Sequence, residues 1–226
     1  SYASKLFKRF LDNVSSSSEE LQYFQRIKDS LPNVEESFQE FSNFLPQMNN
    51  EPLAYSLFQP GSISDVFINC HTSQMNHWAH SNEFFEIIYV DHGNIIDWID
   101  GIEVHLLAGE LCIHNPNALH KIEKFHEGED LVINILLPRE IFKRSFYSLL
   151  INEELKKFFN SYLASSDTNP NYMAFHDTTH RVDTIMELLV EEFLRGDAAS
   201  RFVMESTLVV LFGELMRNYH SSPFIA

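Results

Sequence analysis

The sequence predicts an α+β fold, a jelly-roll β-barrel with a helical segment before it and a helical region after it. Three observations carry that prediction. From residue 53 to 137, short runs of β-branched and aromatic residues alternate with turn residues at even spacing, the pattern of a sandwich or barrel. After Pro138 the apolar spacing lengthens to the helical period. The same helical period holds over residues 1–45. The expected boundaries are 1–50 for the first helical segment, 51–138 for the barrel and 139–222 for the second helical region.

In the first segment, Leu6, Phe7, Phe10 and Leu11 recur at helical spacing. The run Ser15–Ser18 offers N-caps. Ser16/Glu19 and Ser17/Glu20 have capping-box spacing ahead of Leu21, Phe24 and Ile27. Pro32 suits the first turn of a third helix carrying Phe38, Phe41 and Phe44. Pro46 and Pro52, flanking Asn49-Asn50, mark a break.

Strands are expected at Leu53–Phe58, Ile63–Cys70, Glu83–Val90, Ile95–Ile99, Ile102–Leu107, Glu110–His114 and Leu131–Leu137. Pro60-Gly61, His92-Gly93, Asp100-Gly101, Gly109 and Gly128 separate them. Asp100-Gly101 between isoleucine-rich runs marks a hairpin, because a type I′ turn needs positive φ at both central residues.

Beyond Pro138, Arg139–Ile151 and Glu153–Leu163 read as short helices, and Ser165–Asn171 as a polar loop. Thr179–Leu194 places Val182, Ile185, Met186, Leu189 and Phe193 on one face and ends at Gly196, a C′ residue. Arg201–Tyr219 carries Met204, Leu208, Leu211, Phe212, Leu215 and Tyr219, with Val203 and Val210 on a second face. A helix so broadly apolar is buried on two sides. It is either the centre of a small bundle or a helix that meets its copy in a second subunit. In the latter case Leu208 and Leu215, or else Val203 and Val210, face the partner.

The stretch from His80 to His120 carries the chemistry. His80, Asn82, Phe84, Glu86 and Ile88 share one parity, so on a strand they share one face. That face lines a cavity, or it is a solvated face with two apolar residues on it. His80, Asn82, Glu86 and Gly93 fall on the cupin pattern H-x-H-x3-E-x6-G, with Asn82 where a second His is usual. Gly109, Pro116 and His120 resemble the second cupin motif, with its spacing altered and Ala118 in place of Gly. The barrel is therefore cupin-like. An Asn amide brings no charge and only a carbonyl oxygen, which weakens the metal chemistry of that pattern.

The same residues, with the hairpin at Ile99-Asp100-Gly101, the segment Leu107–Leu111 and the run Asn115–His120, are similar to the sensory half of bacterial AraC-type transcription regulators. The resemblance spans about 53–219. It implies a cytoplasmic regulator fragment that is not an enzyme. It also implies a small polar effector in the barrel and a homodimer through residues 201–219. DNA would be read only through helix-turn-helix motifs that the chain lacks after Ala226. The rival class is a metal-dependent cupin enzyme of isomerase or dioxygenase type.

The expected ligand-binding residues are His80, Asn82, Glu86, His120 and Trp98, with no catalytic residue, metal ligand or cofactor assigned. His120 is singled out because the run from Pro116 delivers it to the cavity mouth. Trp78 and Trp98 either stack on a bound ring or serve as sandwich core. Glu86 is a hydrogen-bonding group, or a general base if its surroundings are apolar. The His residues crowd between His71 and His126, yet no pair has helix or CxxC-type metal context. Cys70 and Cys112 are isolated thiols suited to a reducing compartment and a core role. The net charge of −16 excludes direct grip on nucleic acid. No run of about 18 apolar residues and no N-terminal apolar signal region is present.

Overall fold

The computed structural model of the chain describes residues 66–71, 79, 81, 84–116, 118–124, 131–151, 153–163, 171–176 and 180–218. The helical segment expected over 1–50, the strand expected at Leu53–Phe58, Trp78, His80 and Asn82 lie outside the described residues.

The strands are β1 (Phe67–His71), β2 (Phe85–His92), β3 (Asn94–Ile99), β4 (Ile102–Leu107), β5 (Leu111–His114), β6 (His120–Lys124), β7 (Leu131–Leu137) and β8 (Tyr172–Phe175). They form two antiparallel sheets. One has the order β1-β7-β2-β5-β8 and the other β4-β3-β6. These two sheets are the expected jelly-roll arrangement, and among the described residues they are not joined into one closed sheet. The Asp100-Gly101 hairpin has φ of 51° and 82°, the positive values that its turn type requires. It sets the β3–β4 register that pairs Ile99 with Ile102 and Asn94 with Leu107.

Two strands escape the sequence pattern. β6 reads His120-Lys-Ile-Glu-Lys124, with one β-branched residue among charges. β8 is four residues long and adds to the edge of β5.

The five-stranded sheet is buried on both faces. Phe85, Ile87 and Tyr89 of β2 pack toward the helices, together with Leu111, Ile113, Ile133, Ile135 and Leu137. Ile88 and Val90 turn the other way and meet Ile95, Ile99, Val104, Leu106, Cys112 and Ile122 between the sheets. Strict alternation along each strand produces this division. It explains why β2 and β7 read as continuous apolar runs.

The helices are α1 (Arg139–Ser145), α2 (Glu153–Leu163), α3 (His180–Arg195) and α4 (Ser200–Asn218), with a 3₁₀ turn at Tyr147–Leu149. Their buried faces join the odd-numbered side chains of β2 in one core. Phe142 of α1 stands 4.8 Å from Phe85 and 4.2 Å from Phe159, ring centre to ring centre.

α3 ends as expected. Gly196 has φ of 60° and donates its N–H to Glu192 O at 3.1 Å. Asp197 Oδ1 then accepts from the N–H groups of Ala199 and Ser200, starting α4. Leu208 and Leu215 of α4 belong to the chain's own core, which removes them as partner-facing residues. The outward face instead shows Phe202, 76% exposed, and Val210, 48% exposed.

Candidate functional site

A polar cluster lies between the two sheets. Glu86 is the second residue of β2, directly opposite His114 of β5. It has the parity of Ile88 and Val90, so its carboxylate points between the sheets and is buried. Asn134 of β7 has the parity of Val132 and faces the same space. His120 opens β6, paired with Ile99 of β3. The turn before it is tied down by Ala118 N–H to Asn115 O and by Asp100 N–H to Leu119 O. Leu119 N–H in turn donates to Asp100 Oδ1. The hairpin that closes β3–β4 therefore also positions His120.

The side chains meet as follows. Asn134 Nδ2 donates to Glu86 Oε1 at 2.9 Å. His120 Nε2 is 3.3 Å from Glu86 Oε2. His114 Nε2 is 2.6 Å from Asp97 Oδ2 of β3, and the His114 and His120 rings are 4.4 Å apart. Cys112 shares the inward face of β5 with His114. Asp97 is fully buried, as is Cys112.

Burial and the neighbouring His114 push the His120 imidazole down to about 4, so this ring is neutral near pH 7. Burial also pushes His114 down, but the Asp97 charge and hydrogen bond outweigh it and hold the ring well above its ordinary value. Burial pushes the Cys112 thiol up.

Two trios of potential metal-ligand atoms result, each within 4.8 Å of one another. One is Glu86, His114 and His120, and the other is Asp97, Cys112 and His114. Among the described residues, Asp97 Oδ1, His114 Nδ1 and Asn134 Oδ1 are buried without a hydrogen-bond partner. Such atoms are rare in folded proteins and point to a ligand, ion or water.

Glu86 and His120 are brought together, Glu86 by its inward parity on β2 and His120 by the turn that leads into β6. Trp98 is not with them. Ile95, Asp97 and Ile99 take the inward face of β3, so alternation turns Trp98 outward, opposite Glu103 and Lys121 on the neighbouring strands.

Asp97, Cys112, His114 and Asn134 join the site without having been singled out. Each left a trace in the sequence. Asn134 is the polar residue in the apolar run Leu131–Leu137, and His114 is two residues from Cys112. Asp97 alternates with Ile95 and Ile99, but Ile96 and Trp98 disguise the inward face.

The described residues thus form two sheets covered by helices on one face, with buried polar groups between the sheets. Residues 66–159 match the AraC-like ligand binding domain family. This segment is similar to an AraC-like ligand binding domain.

Among solved structures, the chain resembles apo ToxT from Vibrio cholerae at 9% identity and a TM-score of 0.49, covering 73% of this chain and 60% of that one. A ToxT structure with bound unsaturated fatty acid matches at 7% identity and a TM-score of 0.49, covering 71% and 58%. A cupin protein from Bacteroides fragilis matches at 22% identity and a TM-score of 0.29, covering 33% and 64%. The chain thus spans about 60% of the ToxT length. No curated protein matches it. No helix among the described residues is long and apolar enough to cross a membrane.

Proposed function

We propose that the chain is the effector-sensing and dimerisation part of a bacterial, cytoplasmic AraC-type transcription regulator, with a small polar effector bound between the sheets. DNA contact belongs to a part of the protein outside these residues, and the chain itself performs no turnover. One observation supports the polar effector above others. Glu86, Asn134 and His120 converge between the sheets, and Asn134 Oδ1 has no hydrogen-bond partner among the described residues. Together they offer donors and acceptors in a dry setting, where each matched hydrogen bond discriminates strongly. His80 and Asn82 remain in the proposed site on sequence parity alone.

A thermal-shift screen of sugars and other small polar metabolites tests this reading, because a bound ligand raises stability by mass action. A true effector stabilises the wild type and loses that effect in Glu86→Gln and Asn134→Leu. A ligand whose effect survives both variants refutes this site. Metal-dependent turnover of a small substrate would instead favour the cupin enzyme reading.

The dimer is assigned to the outward face of α4. Phe202 and Val210 lie two turns apart on that face, with Val203 and Val209 half-buried beside them. A second copy of the same helix is the proposed occupant. Two tethered DNA-reading modules gain effective concentration on paired half-sites.

A further inference from the structure

We propose that Asp97, Cys112 and His114 form a binding site for a thiophilic divalent metal ion such as zinc, beside the Glu86–Asn134 effector site and sharing its interior. The three residues come from both sheets. Asp97 projects from β3, and Cys112 and His114 from β5. Each presents a ligand atom within 4.8 Å of the other two. Carboxylate oxygen, thiolate sulfur and imidazole nitrogen are the ligand types that zinc accepts.

A purely structural role leaves this trio poorly satisfied. Asp97 and His114 share one short contact of 2.6 Å. Yet Asp97 Oδ1 and His114 Nδ1, both buried, have no hydrogen-bond partner among the described residues. A buried polar atom without a partner is destabilising. Cys112 lies on the same inward face of β5 as the imidazole, with its sulfur within 4.8 Å of the ligand atoms of both other groups. A metal ion would draw on one ligand atom from each of the three groups, in place of the contact between Asp97 Oδ2 and His114 Nε2.

The geometric change required is small. Tetrahedral bond lengths of about 2.0–2.3 Å place ligand atoms about 3.3–3.7 Å apart. Asp97 and His114 would open by several tenths of an ångström, and the longest separation would close by about 1 Å. Both strands are held from outside the site, β3 by β4 and β6, and β5 by β2 and β8. Three protein ligands leave a fourth position for water or another donor. Tyr172, paired with His114 across β5 and β8, stands where its phenol feels Cys112 and Asp97.

Binding requires the thiol and the imidazole to be deprotonated, so about two protons leave for each ion taken up. The effector reading can fail without touching this one, since it rests on Glu86, Asn134 and His120.

The test is cobalt and zinc loading of the purified 226-residue chain after dialysis against chelator. The expected result is one tightly bound ion per chain, release of protons on binding, and a thiolate-to-cobalt charge-transfer absorption. The absorption is lost in Cys112→Ser and kept in Cys70→Ser. X-ray absorption on the zinc-loaded wild type needs no variant and should show one sulfur at about 2.3 Å with nitrogen and oxygen completing the shell. No stoichiometric binding, or a zinc shell of nitrogen and oxygen only, overturns the proposal. So does an absorption that survives Cys112→Ser. Binding that survives Cys112→Ser but disappears in Glu86→Gln moves the ion to the Glu86, His114 and His120 trio and overturns it as well.

Discussion

Phe142→Ala tests whether the sandwich and the helices fold as one unit. Phe142 is fully buried on α1. Its ring centre lies 4.2 Å from Phe159 on α2, 4.8 Å from Phe85 on β2 and 6.0 Å from Phe212 on α4. Truncating a core Phe to Ala costs about 3–5 kcal/mol, more where the surroundings cannot collapse into the space. Here the neighbouring rings are anchored on three different elements, so collapse is poor and the upper part of that range, about 4–5 kcal/mol, applies. A domain of ordinary stability, about 5–15 kcal/mol, is brought close to its limit. Urea unfolding followed by circular dichroism measures the loss from the midpoint and slope. If Ala leaves too little folded protein, Phe142→Leu leaves a smaller cavity and gives a milder loss in the same assay. A loss below about 2 kcal/mol for Ala, against the core-truncation range, would refute the packing argument. A two-step transition in which helices melt while the sheets persist would refute the single unit. In that case Pro138 divides the chain into separate folding units.

Phe202→Ser should weaken the proposed dimer without lowering stability. Burying a Phe side chain is worth about 1.5–3 kcal/mol and a twofold interface uses it twice, so Kd rises by about 10²–10⁴; sedimentation that matches the wild type at every concentration rules the face out. Leu208→Ala acts in the opposite sense, lowering the chain's own stability by about 2–5 kcal/mol in thermal unfolding, and a neutral result would put Leu208 outside the core. Tyr89 donates its hydroxyl to Asp183 Oδ1 at 2.8 Å, and burial with Asp183 pushes its phenol well above the ordinary value. That contribution is fully present below the unfolded phenol's pKa of about 10 and is lost as pH rises beyond it, so Tyr89→Phe should flatten the alkaline loss of stability; an unchanged alkaline limb counts against the assignment. Gly196→Ala forces an L side chain into a φ of 60° and should cost about 1–2 kcal/mol, read as a lower Tm; an unchanged Tm would mean that the turn relaxes freely.

Much of this was legible in the sequence because alternation and turn chemistry are local. The hairpin at Asp100-Gly101, the end of α3 at Gly196 and the inward direction of Glu86 each follow from a few adjacent residues. The rest depended on what packs against what. Leu208 and Leu215 carry no mark that tells a partner's surface from the chain's own sheet. Trp98 is aromatic and lies in an apolar strand, but its side depends on whether Asp97 is inside. A buried aspartate becomes acceptable only with His114 opposite, a residue that belongs to the other sheet. β6 fails as a strand by composition because its two outward residues, Lys121 and Glu123, pair with each other in solvent.

The position of β2 limits how occupancy between the sheets can act on the helices. Glu86 and Ile88 face the site, while Phe85, Ile87 and Tyr89, their immediate neighbours in the chain, face the helices. The strand is flanked on both sides, by β7 and by β5. Sliding it by one residue would turn Glu86 and Ile88 into the helix core, so register shift is closed as a route. What remains is a tilt of the strand, and its helix-facing contacts set where that is felt. Phe85 adjoins Glu86 and packs on Phe142 and Phe159. Those rings meet Phe212 of α4 at 6.0 and 5.9 Å. Close-packed aromatic rings pass a displacement on instead of absorbing it. A ligand can shift α4 only by the difference in its affinity for the two tilts. An effector held by Glu86 is therefore better placed to move α4 than one held by Asp97, whose strand lies in the other sheet, hydrogen-bonded to β4 and β6.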